Sequence, residues 1–496
     1  MTTQVIDWWA IAPPLCLVAA AITALLVDAF APRGSRALPC AISLVGVLAA
    51  LLASAALSSH SRATFCLPAS GIEQPVNCSW VIDDVTLAWW LIILVSTGLI
   101  GMLLQPSVHR GELPGGELYF LLLSSATGAL CLAAARDLIT LLVALETLSL
   151  PSFALVGLRR RNRRGAEAAL KFFIVSVVAT AFTLLGISMV YGATGSVAAG
   201  RIATSVATGA AVEPVIAVGM VLTLVGFGFK VAVVPFQVWV PDTYVGAPIG
   251  VAAYLSVVSK AAGLAGLVIV LVRFFSPYVD LWSPMVAVAA ALTMTLGNLA
   301  ALRQSHVVRL LAWSSVAQAG YLLVPLAAGG SEADIGAMQA YALMYAIVNV
   351  SAFAVVGAVS AWGAVTVDDF RGLVRTRPWL GLALTFALLC LAGLPPGIVG
   401  LVAKVAIFRS AVEGELTWLA VVLAINVALG LVYYLRFVAA LLTPAPVRAA
   451  VAEPPASGQP GGQREPHGAE LFVVIVTFIA AAVLSIFPGP LFFVLP

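Results

Sequence analysis

The chain is built mainly from apolar runs of about 20 residues, and a helix of that length spans the roughly 30 Å hydrocarbon core of a bilayer. Membrane-spanning β-strands would instead appear as alternating segments of about ten residues. The chain is 62% hydrophobic and 9% charged, whereas soluble domains carry roughly 25% charged residues. The sequence therefore predicts an all-α, polytopic membrane protein.

We predict about 14 transmembrane helices, with boundaries uncertain by a few residues. They are expected near residues 8–30, 37–58, 83–105, 117–136, 138–158, 167–192, 214–240, 247–274, 281–302, 307–328, 337–364, 379–411, 417–443 and 470–493. A segment rich in Pro, Gly, Ala and Gln precedes the last of these spans, and its composition predicts a flexible cytoplasmic linker.

Two of the predicted spans contain internal helix breakers. Span seven has Pro235 and Pro241, and span twelve has the sequence GLPPG from Gly393 to Gly397. Proline removes a backbone donor and clashes with the preceding turn, so helices 7 and 12 should be discontinuous. Breaks in corresponding spans predict two inverted repeats of five helices, with the functional site at the breaks.

This reading divides the chain into five parts. They are N-terminal helices 1–3 (residues 1–110), a first five-helix repeat (111–275), a second five-helix repeat (276–444), the linker (445–468) and a C-terminal helix (469–496).

Arginine marks one side of the membrane. The loop after span five reads RRRNRR, from Arg159 to Arg164, and the other loops after odd-numbered spans also carry most of the remaining arginines. Because cationic loops face the cytoplasm, we expect both termini on the outer side of a bacterial-type plasma membrane. An arginine run can also bind nucleic acid, but a topology signal accounts for this one, and we expect no nucleic-acid partner.

Lysine is distributed differently from arginine. The chain has only four lysines, and all of them fall inside predicted spans: Lys171, Lys230, Lys260 and Lys404. Arginine stays protonated at any relevant pH, whereas lysine exchanges its proton readily when it is buried. A nearby carboxylate stabilises the charged lysine, so moving that carboxylate or its charge would load and unload the amine. This pattern predicts proton movement across the bilayer.

A carboxylate is available in span five, where Glu146 lies near the middle of LLVALETLSLP. One ionisable group at the bilayer centre costs about 2.5–3.5 kcal/mol, so several of them predict pairing and a hydrated interior. Structural alternatives stay open for each residue. A buried ion pair could simply fix helix packing, and Lys171 could reach the cytoplasmic interface and pair with Glu167.

The histidines and cysteines carry weaker signals. The four histidines fall in predicted loops or at a helix start, so we expect neither a histidine relay nor a metal site. The six cysteines form no CxxC pair, which argues against an iron–sulfur cluster. Cys66 and Cys78 share a predicted outer loop and could form a disulfide; two free thiols are the alternative.

Several segments resemble one known family. They are EAALKFF around Lys171, FKVAVVPFQVWVPDTYVGAP from Phe229 to Pro248, LSVVSKAAG around Lys260, VVRLLAWSSVAQAGY from Val307 to Tyr321, and LAGLPPGIVGLVAK ending at Lys404. Together they resemble subunit N of the proton-pumping NADH:quinone oxidoreductase, respiratory complex I. The resemblance covers roughly residues 117–440, and the stretch PDTYVGAP is its most specific part.

The resemblance implies a role for each matched residue. Glu146 and Lys230 would form the carboxylate–lysine pair of a first half-channel, with Lys171 in the same cluster. Lys260 would link the halves, and Lys404 would serve the second. The subunit would have other membrane subunits of complex I, the lipid bilayer, protons and internal water as partners. It would hold no cofactor.

Two residues depart from the family pattern. Gln237 and Gln318 stand where the family usually has histidine, and glutamine cannot take up a proton near neutral pH.

The intramembrane charges would also suit a cation/proton antiporter of the same superfamily. A purely structural membrane subunit would not need the retained set of one glutamate and four lysines.

Overall fold

The computed structural model describes residues 6–30, 36–58, 61–66, 77–209, 213–444 and 467–492. The predicted linker at 445–468 lies outside this described part except for its last two residues.

The described residues fold almost entirely into helices joined by short turns, as predicted. The helices are α1 (Ala12–Phe30), α2 (Leu38–Ala56), α3 (Asp84–His109), α4 (Gly115–Ala134), α5 (Leu138–Gly157), α6 (Arg163–Thr194), α7 (Ala199–Ala207), α8 (Glu213–Val231), α9 (Val240–Gly246), α10 (Ile249–Val268), α11 (Val279–Leu302), α12 (Val307–Ala327), α13 (Glu332–Ser360), α14 (Leu373–Thr376), α15 (Pro378–Ala392), α16 (Ile398–Glu413), α17 (Thr417–Leu442), α18 (Gly468–Ile486) and α19 (Gly489–Phe492). Thirteen segments of the described chain are long and apolar enough to cross a bilayer. With the broken pair α15–α16 they agree with the predicted spans.

Both predicted breaks are present. α8 ends at Val231, a 3-10 turn follows at Phe236–Trp239, and α9 then begins. The second break separates α15 from α16, where Gly393 adopts a positive φ of 79° that a residue with a side chain rarely tolerates. Each break lies next to a lysine, Lys230 or Lys404, so the predicted association of breaks with lysines holds.

One feature departs from an all-α fold. β1 (Arg62–Cys66) and β2 (Cys78–Ile82) form an antiparallel hairpin in which Cys66 pairs with Cys78, and a disulfide joins these two cysteines. The hairpin was missed because its strands are short and lie beside an apolar span. Disulfides persist in oxidising compartments, so the bond fits the outer side predicted for this loop.

The helices differ strongly in burial. α10 and α12 are almost wholly buried, and α13 is nearly so, whereas α1 and α6 expose most of their surface. α10 packs against α3, α4, α8 and α13. The peripheral helices expose large apolar side chains such as Phe182 and Ile425, which suits contact with lipid. The core therefore surrounds α10, the helix that carries Lys260.

A partly buried ion pair stabilises the hairpin side of the fold. Arg136, in the turn between α4 and α5, contacts Asp83 at 3.0 Å, and Arg273 contacts the same carboxylate at 3.5 Å. Burial of Asp83 by itself raises the pKa of its carboxyl group. The two guanidinium groups and hydrogen bonds from Thr86 outweigh that effect, so the pKa lies below its ordinary value.

We expect Arg136→Gln to lower the free energy of unfolding by about 2 kcal/mol, because it removes a charged hydrogen bond from a partly buried carboxylate that keeps Arg273 as its second cation. The depressed pKa of Asp83 means that the wild-type advantage is present at neutral pH and is lost as the pH falls through the folded-state value. Thermal unfolding of the purified protein in detergent at pH 7 measures the change. Arg201→Gln, at an exposed position on α7, is the control, and equal Tm values for both variants would contradict the prediction.

Candidate functional site

The four predicted lysines do not share one environment. Lys230, Lys260 and Lys404 are buried, at 1%, 2% and 7% exposure. They lie on α8, α10 and α16, so the buried lysines are spread across both predicted repeats. The side chain of Lys171 is instead 52% exposed. The structure thus separates a buried lysine set from one lysine at the arginine-rich face.

Lys230 lies one residue before the end of α8. Its Nζ has no hydrogen-bond partner among the described residues, and it lies 5.5 Å and 5.9 Å from the ring centroids of Phe172 and Phe153. Ala232, two residues later, has a positive φ of 67°, a conformation that costs energy when a Cβ is present. Burial of an unpartnered amine beside a strained turn is typical of a functional rather than a packing position.

Glu146 does not form a direct ion pair with Lys230. Its Oε1 accepts a hydrogen bond of 2.6 Å from Thr180 Oγ1 on α6. Lys230 interacts with this carboxylate electrostatically. The predicted pair is therefore a longer-range interaction, and Thr180 is the group that holds the carboxylate in place.

Lys171 belongs to an ionic cluster at the arginine-rich face. Its Nζ lies 2.7 Å from Glu167 and 3.4 Å from Asp242. Asp242, on α9, also accepts a 2.7 Å hydrogen bond from Arg309 on α12. Lys171 precedes Thr180 by nine residues, about 13 Å along α6, so it lies far from Glu146. The pairing of Lys171 with Glu167, one of the alternatives read from the sequence, is present.

Lys260 is held at the centre of α10 by one serine. Its Nζ donates to Ser315 O at 2.5 Å and to Ser315 Oγ at 2.7 Å, both on α12. The contact joins α10 of the first predicted repeat to α12 of the second. Neutral oxygen acceptors solvate an ammonium without supplying a counter-charge.

Lys404 uses the second helix break. Its Nζ donates to Leu391 O at 2.6 Å and Ala392 O at 2.8 Å, the last carbonyls of α15. Carbonyls at a helix C-terminus lack intrahelical partners and carry the negative end of the helix dipole, so they stabilise a cation. A Cβ at Gly393 would lie 3.1 Å from Lys404 Cδ. The break therefore both creates the acceptors and leaves room for the lysine.

A buried polar network surrounds Gln318, between Lys260 and Lys404 in the chain. Gln318 Nε2 donates to Tyr434 Oη at 3.1 Å, and its Oε1 accepts from Tyr341 Oη at 2.5 Å. Tyr434 and Ser314 share a further hydrogen bond of 2.5 Å. Since the amide both donates and accepts, Gln318 bridges the Tyr341 and Tyr434 hydroxyl groups and orients both.

Three further residues at the site, Asp242, Thr180 and Ser315, are not predicted from the sequence. Asp242 carried a detectable signal, because it is an acidic residue directly after the break in span seven. Thr180 and Ser315 carried none, since a hydroxyl side chain commonly bonds to its own helix and only the packing of α6 and α12 reveals another role. Within the described chain, no three His, Cys, Asp or Glu residues form a group that could hold a metal ion.

Comparison with known proteins identifies the class of this arrangement. Residues 135–430 match the family model described as NADH:quinone oxidoreductase/Mrp antiporter, transmembrane. The structure superposes on a chain of respiratory complex I from Thermus thermophilus with bound aureothin. That match has a TM-score of 0.77 and 30% identity, and it covers 97% of this chain and 98% of that one. These matches define an antiporter-like transmembrane subunit.

Closer relatives narrow the class. NADH-quinone oxidoreductase subunit N 2 of Streptomyces griseus subsp. griseus is 52% identical over 447 residues, 88% of this chain and 83% of that protein. NADH-quinone oxidoreductase subunit N of Salinispora tropica is 43% identical over 453 residues, covering 88% and 86% of the two chains. The chain belongs to the NADH-quinone oxidoreductase subunit N family, as the sequence motifs indicated.

The same fold occurs in a more distant complex. A chain of the Mrp complex from Dietzia superposes with a TM-score of 0.81 at 21% identity, covering 98% of this chain and 96% of that one. At this identity the likeness concerns the fold alone.

We expect Thr180→Val to reduce turnover of the assembled complex about tenfold, because a hydrogen bond to a charged group contributes roughly 1.5–3 kcal/mol. Thr180→Ser should retain most of the activity. Thr147→Val is the matched control, since among the described residues the Thr147 hydroxyl donates to Val143 O of its own helix. Quinone-dependent NADH oxidation in membranes measures all three, and equal losses in Thr180→Val and Thr147→Val would exclude a specific role for Thr180.

Proposed function

We propose that this subunit translocates protons through a line of titratable side chains, Glu146, Lys171, Lys230, Lys260 and Lys404, driven by quinone reduction elsewhere in the complex. The observation that carries the proposal is the burial of three lysines without a salt bridge to any described residue. Burying an ammonium without a counter-charge costs free energy, so a lysine in such a site gives up its proton readily. Internal water is then needed to solvate the charged form.

The contacts of each lysine support a stepwise relay. Lys230 lies within electrostatic range of Glu146, Lys260 Nζ donates to Ser315, and Lys404 Nζ donates to the carbonyls at the end of α15. Charges in a medium of low dielectric interact over longer distances than in water. Protonation of one lysine therefore disfavours the charged form of the next and pushes the proton forward. Lys171 is assigned to the arginine-rich side of the line, through its contact with Asp242.

The partners and setting follow from the same proposal. The subunit would lie in a bacterial plasma membrane beside other membrane subunits of complex I, with both termini outside. It would carry no redox cofactor and would not bind NADH, so the driving energy would arrive through contacts with its neighbours.

Cation/proton antiport is the second candidate, and the family description, which includes the Mrp antiporter, favours it. Transport in reconstituted vesicles distinguishes the two functions. Proton uptake driven by an imposed sodium or potassium gradient, without quinone reduction, would replace the first proposal with the second.

We expect Lys230→Ala and Lys404→Ala each to lower the number of protons moved per electron while leaving assembly intact, because each removes one exchangeable group from the line. Arg409→Ala is the control for α16, since Arg409 is exposed and pairs with Glu413 of its own helix. Proton release and NADH oxidation are measured together in membrane vesicles. Wild-type stoichiometry in both lysine variants would overturn the relay.

Glu146 provides an independent arm of the same test. Glu146→Ala should impair turnover, and Glu146→Asp should retain part of it, because a shorter carboxylate keeps the charge but loses some contact with Thr180. If wild type, Glu146→Ala and Glu146→Asp turned over at one rate, the carboxylate would be a bystander.

A further inference from the structure

A cavity of about 370 Å³ lies on the arginine-rich face, within the second predicted repeat. Its walls come from the turn after α11, from the 3-10 turn Val367–Phe370 with the residue that follows it, and from the C-terminal end of α17. These elements are distant in sequence, so no local pattern marks the cavity. None of the buried lysines is among the described residues that line it.

Three arginines line this cavity, one from each wall: Arg303 after α11, Arg371 after the 3-10 turn, and Arg436 on α17. Among the described lining residues Asp368 is the only carboxylate, and it pairs with Arg371 at 2.8 Å. Three cations and one anion leave the lining with a net charge of +2. A guanidinium group matches the geometry of phosphate oxygens, so this cavity suits a phosphate-bearing anion.

Two of the guanidinium groups keep their charge uncompensated. Arg436 belongs to α17 but reaches the end of α11, where it donates to Leu302 O at 3.1 Å and to Gln304 O. These neutral carbonyls orient the group without supplying a counter-charge. The Arg303 side chain has no hydrogen-bond or ion-pair partner among the described residues. Donor groups of both arginines are therefore available to a ligand.

Backbone hydrogen bonds hold the three walls together. Val367 N donates to Ser305 O at 2.9 Å, which ties the 3-10 turn to the segment after α11. Gly372 N donates to Ala440 O at 3.2 Å, which ties the end of the same turn to α17. The cavity is therefore preformed by the fold and is not a chance meeting of surface side chains.

Exposed apolar side chains continue from the cavity toward the bilayer centre. Leu296 and Leu299 precede Arg303 by seven and four residues, so they lie on its face of α11, and they are 39% and 50% exposed. Val432 precedes Arg436 by four residues on α17 and is 57% exposed. Since α11 and α17 pack against each other, this apolar surface lies directly below the cationic cavity.

We propose that the cavity binds the phosphate of an anionic phospholipid from the leaflet on the arginine-rich side, with the acyl chains along the exposed faces of α11 and α17. Basic pockets between transmembrane helices on the cytoplasmic side bind such headgroups. A soluble phosphate would also satisfy the guanidinium groups, but it would leave the apolar surface below them uncovered. The bound phosphate draws together the three walls and so stabilises the second repeat at this face.

Photolabelling of the intact complex tests the site. The complex is placed in nanodiscs of phosphatidylcholine with a trace of photoactivatable phosphatidylglycerol, and labelled peptides are identified by mass spectrometry. We expect labelling at the C-terminal ends of α11 and α17. Arg303→Gln should lower this labelling about fivefold, the factor that one juxtamembrane arginine contributes to binding an anionic lipid, and Arg303→Lys should retain most of it.

A double variant and a matched control sharpen the comparison. Arg303→Gln/Arg436→Gln should lower the labelling by more than about tenfold. Arg160→Gln/Arg163→Gln removes the same charge from exposed positions on the same face outside the cavity, so it should label like wild type. Because the Arg303 side chain contacts no described partner, Arg303→Gln decides the question even if loss of Arg436 impairs folding.

Several results would overturn the proposal. Equal labelling of wild type and Arg303→Gln would exclude a role for the arginines, and equal labelling by a phosphatidylcholine probe would exclude recognition of the anion. Displacement of the label by millimolar inorganic phosphate would assign the cavity to a soluble anion. Cross-linking of α17 to an acidic segment of a neighbouring subunit, without lipid labelling, would assign it to subunit contact. The lysine variants do not bear on these outcomes, so this inference and the relay fail separately.

Discussion

The bilayer supplies no water to satisfy polar groups, and the described structure is organised by that constraint. Complete helices satisfy their own backbone, so they can face lipid, as α1 and α6 do. Broken helices do not, and the free groups at their ends are turned inward. Lys404 Nζ donates to the carbonyls that end α15, while Lys230, in the last turn of α8, has no hydrogen-bond partner among the described residues. The two breaks lie in corresponding helices, but the second provides carbonyl acceptors for its lysine and the first does not.

Helix number, the two breaks and the family followed from the sequence because each depends on local pattern. Apolar run length indicates a span, and proline removes a donor wherever it falls. The burial of Lys230, Lys260 and Lys404 also followed, since they lie inside apolar runs.

Contacts between distant helices could not be read in the same way. Nothing near Glu146 indicates that Thr180 rather than Lys230 will bond to it, because that choice depends on how α5 and α6 pack. The exposed position of Lys171 depends likewise on Asp242, which only folding brings near. His109, His306 and His467 line one cavity because three helix ends meet there, and their separate positions in the sequence do not indicate this.

The position of Asp242 has a consequence for the molecule as a whole. The Asp242 carboxylate contacts both Lys171 on α6 and Arg309 on α12, so the two predicted halves share a single negative charge. Any shift that draws Asp242 closer to one cation weakens its hold on the other. The two predicted halves are thus linked electrostatically through Asp242, so a change at Lys171 also alters the environment of Arg309.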